Sequence, residues 1–509
     1  MSVTAMPNIA SVRPIIGLEI HVELATRRKL FADAPNPAHE EFDSADPNTL
    51  TDAVVLALPG ALPVINRSAI EHSMRVGMAL GCQIASVSRW DRKNYFYPDL
   101  PKGYQISQYA DPVCGPGITN WPINADGSNH TVRIERAHLE EDAGKLLHEL
   151  PGGGEIDFSI VDLNRAGTPL LEIVTAPDFQ SAEQVVNFAR LLRNVCRHLR
   201  VSHCIMQKGH IRFEPNINCE LTLADGSTVR TPITEVKNLN SFRAVQGAIE
   251  YELREQPKRW AETGIAFAPG TKTTRGWNDN SMQTTLQREK EEANDYRYFP
   301  DPDLLAIEID AEWQERVRAT VKELPHVRTG RWASSYKLDA RECETLIDDP
   351  DTADLFDTAI NIAGNNHTRT VANLLLQTGM KLAKERDSTA AALGVSAEHL
   401  AAIAQMRDAG DIGSGAIEPL FLASIESGAG EEPRAAAKRL GLIQIRDEGA
   451  LRAWCRSAID DPANASSVED LRAGKQQAIG RLIGAIMKAS AGKADAKAAR
   501  EMILEMLAE

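Results

Sequence analysis

Two stretches of this chain alternate apolar and polar residues too strictly to be helical. From Ile16 to Leu24, Ile16, Leu18, Ile20, Val22 and Leu24 share one face of an extended strand, while Gly17, Glu19, His21 and Glu23 share the other. From Ile211 to Leu221, Ile211, Phe213, Ile217, Cys219 and Leu221 face inward and Arg212, Glu214, Asn216, Asn218 and Glu220 face outward. Such strands belong to a sheet packed on one face only, which favours antiparallel pairing. Asp225-Gly226 supplies a hairpin turn, and the return arm from Val229 delivers Thr234-Glu235-Val236-Lys237-Asn238. The polar faces thus carry acids beside imidazole, amides and cations. In Glu19-x-His21-x-Glu23 the neighbouring side chains stand about 7 Å apart, because a strand rises ~3.3 Å per residue. A solvent-facing polar strand would show the same alternation, so spacing leaves both readings open.

The segment His138-Leu-Glu-Glu-Asp-Ala-Gly-Lys145 sharpens the question, since three adjacent carboxylates repel one another. Either water solvates them in a loop or a divalent cation neutralises them. Asp91 to Tyr109 is dense in aromatic rings, amides and cations with two prolines, the composition of a functional loop or of a packed connection. Thr131 to Ile134 predicts a strand running into the acidic segment, and Gly152-Gly153-Gly154 a turn. Ile156 to Thr175 predicts short strands broken at Asn164 to Pro169. Ser181 with Gln184 has the pattern of a capping box, followed by a buried stripe of Val185, Phe188, Leu192, Val195 and Leu199. Helices are also expected from Ala69 to Leu80 and after Ser241. Beyond Pro300 strand signals fade. The expectation is an α+β chain: a mixed, largely antiparallel sheet domain over 1–299, a helical domain over 300–409 and a helical tail over 410–509.

A length of 509 residues calls for several cores, and 43% hydrophobic with 25% charged residues is ordinary for a globular protein. The longest apolar stretch, Ala53 to Ile65, is interrupted by Pro59, Gly60 and Pro63 and falls short of the ~20 residues of a membrane span. Met1 to Pro14 lacks the pattern of a secretory signal, so a cytoplasmic location is expected. The seven cysteines include no C-x-x-C pair, which suits a reducing compartment. A net charge of −15 excludes indiscriminate coating of nucleic acid but permits a local basic patch.

No phosphate-binding glycine loop of the G-x-x-x-x-G-K-[ST] type is present, nor H-E-x-x-H. Glu19, His21, Glu140, Glu141, Glu214 and Glu235 come from separate segments; gathered by a sheet they would make an oxygen-rich site suited to Mg²⁺ or Mn²⁺. With Lys93, Lys102 or Lys237 nearby, such a site has the parts for phosphoryl transfer. Near the C-terminus, Lys475, Arg481, Lys488, Lys493, Lys497 and Arg500 accompany an apolar helix face made by Ile479, Leu482, Ile483 and Ile486. They form either a solvated helix surface or a phosphate-binding appendage.

Seven segments in order carry a family resemblance: Gly17-Leu-Glu-Ile-His-Val-Glu-Leu24, Leu58-Pro-Gly-Ala-Leu-Pro-Val64, Arg92 to Asp99, His138 to Lys145, Asn164-Arg-Ala-Gly-Thr-Pro to Val174, Thr234-Glu-Val-Lys-Asn-Leu-Asn-Ser-Phe242 and Asp295-Tyr-Arg-Tyr-Phe-Pro-Asp-Pro-Asp-Leu304. Together they closely resemble the B subunits of the aspartyl/glutamyl-tRNA amidotransferases, over essentially the whole chain. The resemblance implies a cradle-like first domain in which ATP phosphorylates the side-chain carboxylate of Glu-tRNA(Gln) or Asp-tRNA(Asn) and ammonia then displaces phosphate. It implies an amidase-type A subunit releasing that ammonia from glutamine, a small C subunit completing a heterotrimer, and a tRNA-binding tail using Lys475, Arg481, Lys488, Lys493 and Lys497. By matching positions it places Mg²⁺ on His21 and Glu141, with Glu19, Glu140, Glu214 and Glu235 around it. Catalytic roles would fall on Glu141, His21, Lys93 and Lys237, and ATP contacts on Glu140 and Lys102. Lys93, Tyr95 and Lys237 are candidates for the ammonia path or for holding the acyl phosphate. The alternative is a non-catalytic subunit that only presents tRNA. Two departures stand out. Ala32, Ala34, Asp52 and Val55 occupy positions where many members place zinc-binding cysteines, so no structural zinc is expected. Gln207 replaces a common Glu, and Glu214 stands where many members have Asp.

Overall fold

The structure is a computed structural model that describes residues 9–150, 153–289, 296–428, 430–444, 448–490 and 492–508. Asp295 of the Asp295–Leu304 motif and Gly152 of the expected turn lie outside these residues. The chain divides into two compact units, residues 1–328 and 329–509.

In the first unit the elements that build the site run in chain order β1 (Ile9–Glu23), α1 (Arg67–Ala79), β2 (Asp91–Asn94), β3 (Tyr104–Ser107), β4 (Gly117–Trp121), β5 (His130–Glu141), β6 (Pro169–Thr175), α2 (Ala182–His198), β7 (Ile211–Leu223), β8 (Thr228–Arg230), β9 (Thr234–Lys237), α3 (Phe242–Thr263), β10 (Thr273–Asn278) and β11 (Gln283–Glu289). A nine-stranded sheet has the order β11-β10-β9-β7-β1-β6-β5-β4, with β8 paired to β7. Only β9 and β10 pair in parallel; the other ladders are antiparallel. This is the α+β sheet that the alternating stretches predict. Both appear in its centre as the longest paired strands, β1 against β7 from Ile9–Leu223 to Val22–Ile211.

One face of the sheet is apolar. Ile16, Leu18, Ile20, Val22, Phe213 and Ile217 are at most 1% exposed and pack with Val185, Phe188 and Leu192 of α2 and Val245, Ala248 and Ile249 of α3. Each large side chain buried this way contributes about 1.5–3 kcal/mol. The Ser181 hydroxyl accepts from the Gln184 amide at 3.1 Å and starts α2; the Ser241 hydroxyl does the same for Ala244 at 3.0 Å and starts α3. Asp225 accepts from the Ser227 amide at 2.9 Å, and Gly226, at φ 84°, supplies the left-handed residue that closes the β7–β8 hairpin.

The first unit extends past the expected boundary at 299. Phe299–Pro300 pairs with β2, Ile307–Glu308 pairs with Val87–Ser88, and Ile309, Trp313, Val317 and Leu324 join the core beside α1 and α2. In the second unit one apolar cluster runs from Trp332 through Met406, Ile412 and Phe421 to Ala437, so the glycine-rich stretch at 410–415 lies inside a core and not between domains. Ile412, buried at 0%, carries the packing across it. A separate cluster of Leu451, Cys455, Leu482, Ile486, Ala499 and Ile503 holds the tail helices Glu448–Asp460, Ile479–Ala489 and Ala496–Ala508 together. No described helix is long and apolar enough to cross a membrane.

Candidate active site on the polar face of the sheet

Alternation that buries one face of β1, β5, β6 and β7 presents the other. Strand register aligns Arg212, His21, Glu172 and His138 in one row across β7, β1, β6 and β5. The next row along places Glu214 opposite Glu19, and Asn216 of β7 faces Glu235 of β9. Because cross-strand neighbours stand ~5 Å apart, register alone concentrates these charges.

Among the described residues two groups of possible cation ligands result, His21 with Glu140 and Glu172, and Glu19 with Glu214 and Glu235; within each, one donor atom per residue lies within 4.8 Å of the others. In the first, His21 Nε2 is 3.6 Å from Glu172 Oε2 and 4.0 Å from Glu140 Oε1, and His138 Nε2 is 3.4 Å from the same Glu172 oxygen. Ser107 donates to Glu140 at 3.3 Å, and the Lys93 ammonium stands 3.8 Å from it. In the second, Lys237 donates to Glu214 at 2.7 Å and lies 3.5 Å from Glu235. Lys272 lies 3.7 Å from Glu235 and 4.0 Å from Glu19, Asn216 Nδ2 donates to Glu19 at 2.9 Å, and Thr274 donates to Glu235 at 3.0 Å.

Protonation follows from these neighbours. Burial raises the Glu19 carboxyl above its ordinary value and three surrounding acids add to that, against the pull of Lys272. Burial would lower His21, but the hydrogen bond and charge of Glu172, with Glu214, outweigh it and hold the imidazole at about 9. Burial likewise opposes ionisation of Glu172, yet His138 and His21 keep it well below the usual carboxylate range. Glu235 is lowered because Lys237 and Lys272 outweigh its burial, and Lys237 is raised because Glu214 and Glu235 outweigh its own. Lys93 is held protonated by Glu140 despite its burial.

The donors suit a hard divalent cation. Both groups are carboxylate-rich, and two buried polar atoms beside them, His21 Nδ1 and Asn216 Oδ1, have no hydrogen-bond partner.

Of the residues expected to gather, Glu19, His21, Glu140, Glu214 and Glu235 do so, with Lys93 and Lys237 beside them. Glu141 does not join either group. Successive strand residues point to opposite faces, so Glu141 turns away from Glu140. It is held by the Lys102 ammonium and by the Ile106 amide at 2.9 Å. Lys102 is therefore committed to Glu141 and lies off the two groups. Tyr95 donates to Gln105 at 3.5 Å, and Gln105 in turn donates to the Glu141 carbonyl at 2.6 Å. Gln207 is exposed on the turn Met206–Lys208, outside both groups. Ala34 and Val55 pack with Ala166 against Ala32 and Leu163, and Asp52 accepts from the amides of Val54 and Val55. In the tail, Lys475, Arg481, Lys488 and Lys497 are exposed and Lys493 is half-buried; Lys475 pairs with Asp470 at 2.9 Å and Arg481 donates to the Ala463 carbonyl.

Sequence reasoning passed over Glu172, Lys272 and Asn216 as site residues. Glu172 had a visible signal, a lone acid between Leu171 and Ile173 in an otherwise apolar strand. Lys272 had none, since it precedes β10 in a threonine-rich loop and reaches the acids only through the parallel β9–β10 pairing.

Residues 14–315 match the family model of the GatB/GatE catalytic domain, and residues 354–507 match that of the GatB domain. A protein of Rhodopirellula baltica, described as the B subunit of an aspartyl/glutamyl-tRNA(Asn/Gln) amidotransferase, is 40% identical over 98% of this chain and 97% of its own length. Proteins of the same description from Thermoanaerobacter pseudethanolicus and Geobacillus thermodenitrificans are 39% and 38% identical, over 97% and 96% of this chain and 99% and 98% of their own lengths.

Proposed function

Because the chain belongs to the family of aspartyl/glutamyl-tRNA(Asn/Gln) amidotransferase B subunits, we propose that the polar face of its sheet is where a tRNA-borne carboxylate is phosphorylated and then amidated. The observation that carries this reading is the convergence of two carboxylate-rich groups with Lys93, Lys237 and Lys272 on one sheet face.

The chemistry runs in two balanced steps. A side-chain carboxylate oxygen of Glu-tRNA(Gln) or Asp-tRNA(Asn) attacks the γ-phosphorus of ATP, and the bond from that phosphorus to the β-phosphate bridging oxygen breaks to release ADP. Ammonia then attacks the acyl carbon, phosphate leaves, and the nitrogen gives up a proton to yield the amide. Bound at Glu19, His21, Glu140, Glu172, Glu214 and Glu235, Mg²⁺ would neutralise phosphate oxygens and orient the acceptor. Lys237 and Lys272, already facing Glu235, stabilise charge on the transferred phosphoryl group, and Lys93 does so beside Glu140. Glu172 fixes His21 and His138 in place as a shared acceptor.

Ammonia comes from an amidase-type A subunit, with a small C subunit joining both, and the complex works in the cytoplasm. The exposed cations of the tail, Lys475, Arg481, Lys488 and Lys497, with Lys493, contact tRNA phosphates. The test is ATP consumption by the assembled complex. It should require Mg²⁺ and a misacylated tRNA, and His21→Ala or Glu214→Gln should abolish it with tRNA binding intact. Full activity in both variants would instead favour a subunit that only presents tRNA.

A further inference from the structure

Between the last turns of α3 and the starts of β9 and β10 lies a pocket of about 340 Å³. That volume falls within the range of small-molecule sites. Among the described residues its wall carries three cations, Arg259, Lys272 and Arg275, and no carboxylate. The acid nearest in the bonding network is Glu252, wholly buried beneath the pocket. Arg259 binds it, and Arg275 Nε stands 3.5 Å away. One carboxylate against two guanidiniums leaves a positive charge over. Burial lowers Arg275 from its ordinary value and the neighbouring Arg259 lowers it further, against the pull of Glu252. Lys272 is the third cation of the wall, but its charge is taken up by Glu19 and Glu235 on the polar face.

Two large apolar side chains also line the wall. Trp260 presents an indole that is 9% exposed, and Ile265, 53% exposed, stands at the mouth. A flat ring fits against Trp260, while the guanidinium nitrogens not already donated to Glu252 by Arg259 or to Thr284 by Arg275 remain for phosphate. A phosphate monoester carries about 1.5 to 2 negative charges near neutral pH, enough to neutralise the one guanidinium charge that Glu252 leaves over.

We propose that this pocket, which borders the polar-face site at Lys272 but is otherwise lined by other residues, is a binding site for a small ring-bearing phosphate monoester. Arg259 and Arg275, whose charge Glu252 offsets only in part, receive the phosphate, and Trp260 receives the ring.

The probe is phenyl phosphate, titrated into the full chain by calorimetry, with inorganic phosphate and phenol as separate arms. Phenyl phosphate should bind at least tenfold more tightly than either fragment, and saturating Mg·ATP should leave that binding in place. Arg259→Gln should weaken it at least tenfold. So should Ile265→Glu, which places a negative charge at the exposed mouth without disturbing the core. Failure of phenyl phosphate to outbind inorganic phosphate would overturn the proposal, as would its displacement by Mg·ATP. Unchanged affinity in Ile265→Glu would overturn it too, even where Arg259→Gln loses binding, because loss in the buried variant alone reports only damage to the fold.

Discussion

Replacing Glu172 by Gln removes the charge that holds His21 protonated while keeping its shape. In the native face burial pulls His21 down from 6.5, and Glu172 with Glu214 lifts it to about 9 against the opposing pull of Arg212. The interval from 6.5 to about 9 is roughly 2.5 pH units, or about 3 kcal/mol of preference for the protonated imidazole in the folded state. A folded value above the unfolded one stabilises fully below about pH 6.5, and the gain is lost as pH rises through about 9. The metal-free native chain should therefore lose about 3 kcal/mol of urea-measured stability between those limits, while Glu172→Gln starts less stable and lacks most of that slope. NMR titration of the His21 ring should show its midpoint falling below 6.5 in the variant, since burial then acts with little opposition. An imidazole still titrating near 9 in Glu172→Gln, or an unchanged slope, would refute this reading of the first ligand group. A corollary concerns loading: His21 binds a cation only after losing its proton, so cation affinity should rise with pH across this interval.

Lys102→Met leaves the buried Glu141 carboxylate with the Ile106 amide but without its ammonium, so about 3–5 kcal/mol of stability should disappear at pH 7; urea unfolding reads it, and a loss under 1 kcal/mol would contradict the pairing. His72 and His210 are both lowered to about 4, by burial first and then by nearby cations. The unfolded chain takes up these protons first, so stability present above pH 6.5 should be lost as pH falls through about 4, by at most roughly 3 kcal/mol for each. His72→Gln should flatten that acid limb in a thermal melt series. Lys488→Glu with Lys497→Glu should weaken tRNA binding and make its salt dependence shallower, whereas an unchanged slope would take phosphate contact away from the tail.

The sheet was legible because its central strands bury one face only, and a period of two in Ile16–Leu24 and Ile211–Leu221 has no helical explanation. The same period tells which acids share a face within one strand: Glu19 with His21, Glu214 with Arg212. It does not tell which strands are neighbours. That is why Glu172, two strands from β7, entered only with the register, and why Lys272 needed the parallel β9–β10 pair. Glu140 and Glu141 show a further limit. Adjacent acids look like one cluster in sequence, but a strand splits them between its faces, one toward Ser107 and Lys93, the other onto Lys102. The expected boundaries at 299 and 410 fall within cores, because Ile309 and Val317 in one case and Ile412 in the other are buried on the far side.

Whether a tRNA-borne carboxylate is phosphorylated on the polar face and then amidated can be read from the fate of its oxygen. Glu-tRNA(Gln) or Asp-tRNA(Asn) labelled with heavy oxygen in the side-chain carboxylate is given to the complex with its partner subunits, ATP, Mg²⁺ and glutamine, and the released phosphate is weighed by mass spectrometry. An acyl phosphate formed on this face predicts one labelled oxygen in each phosphate released with an amide formed, and loss of both products in His21→Ala. Unlabelled phosphate accompanying amide formation would contradict it.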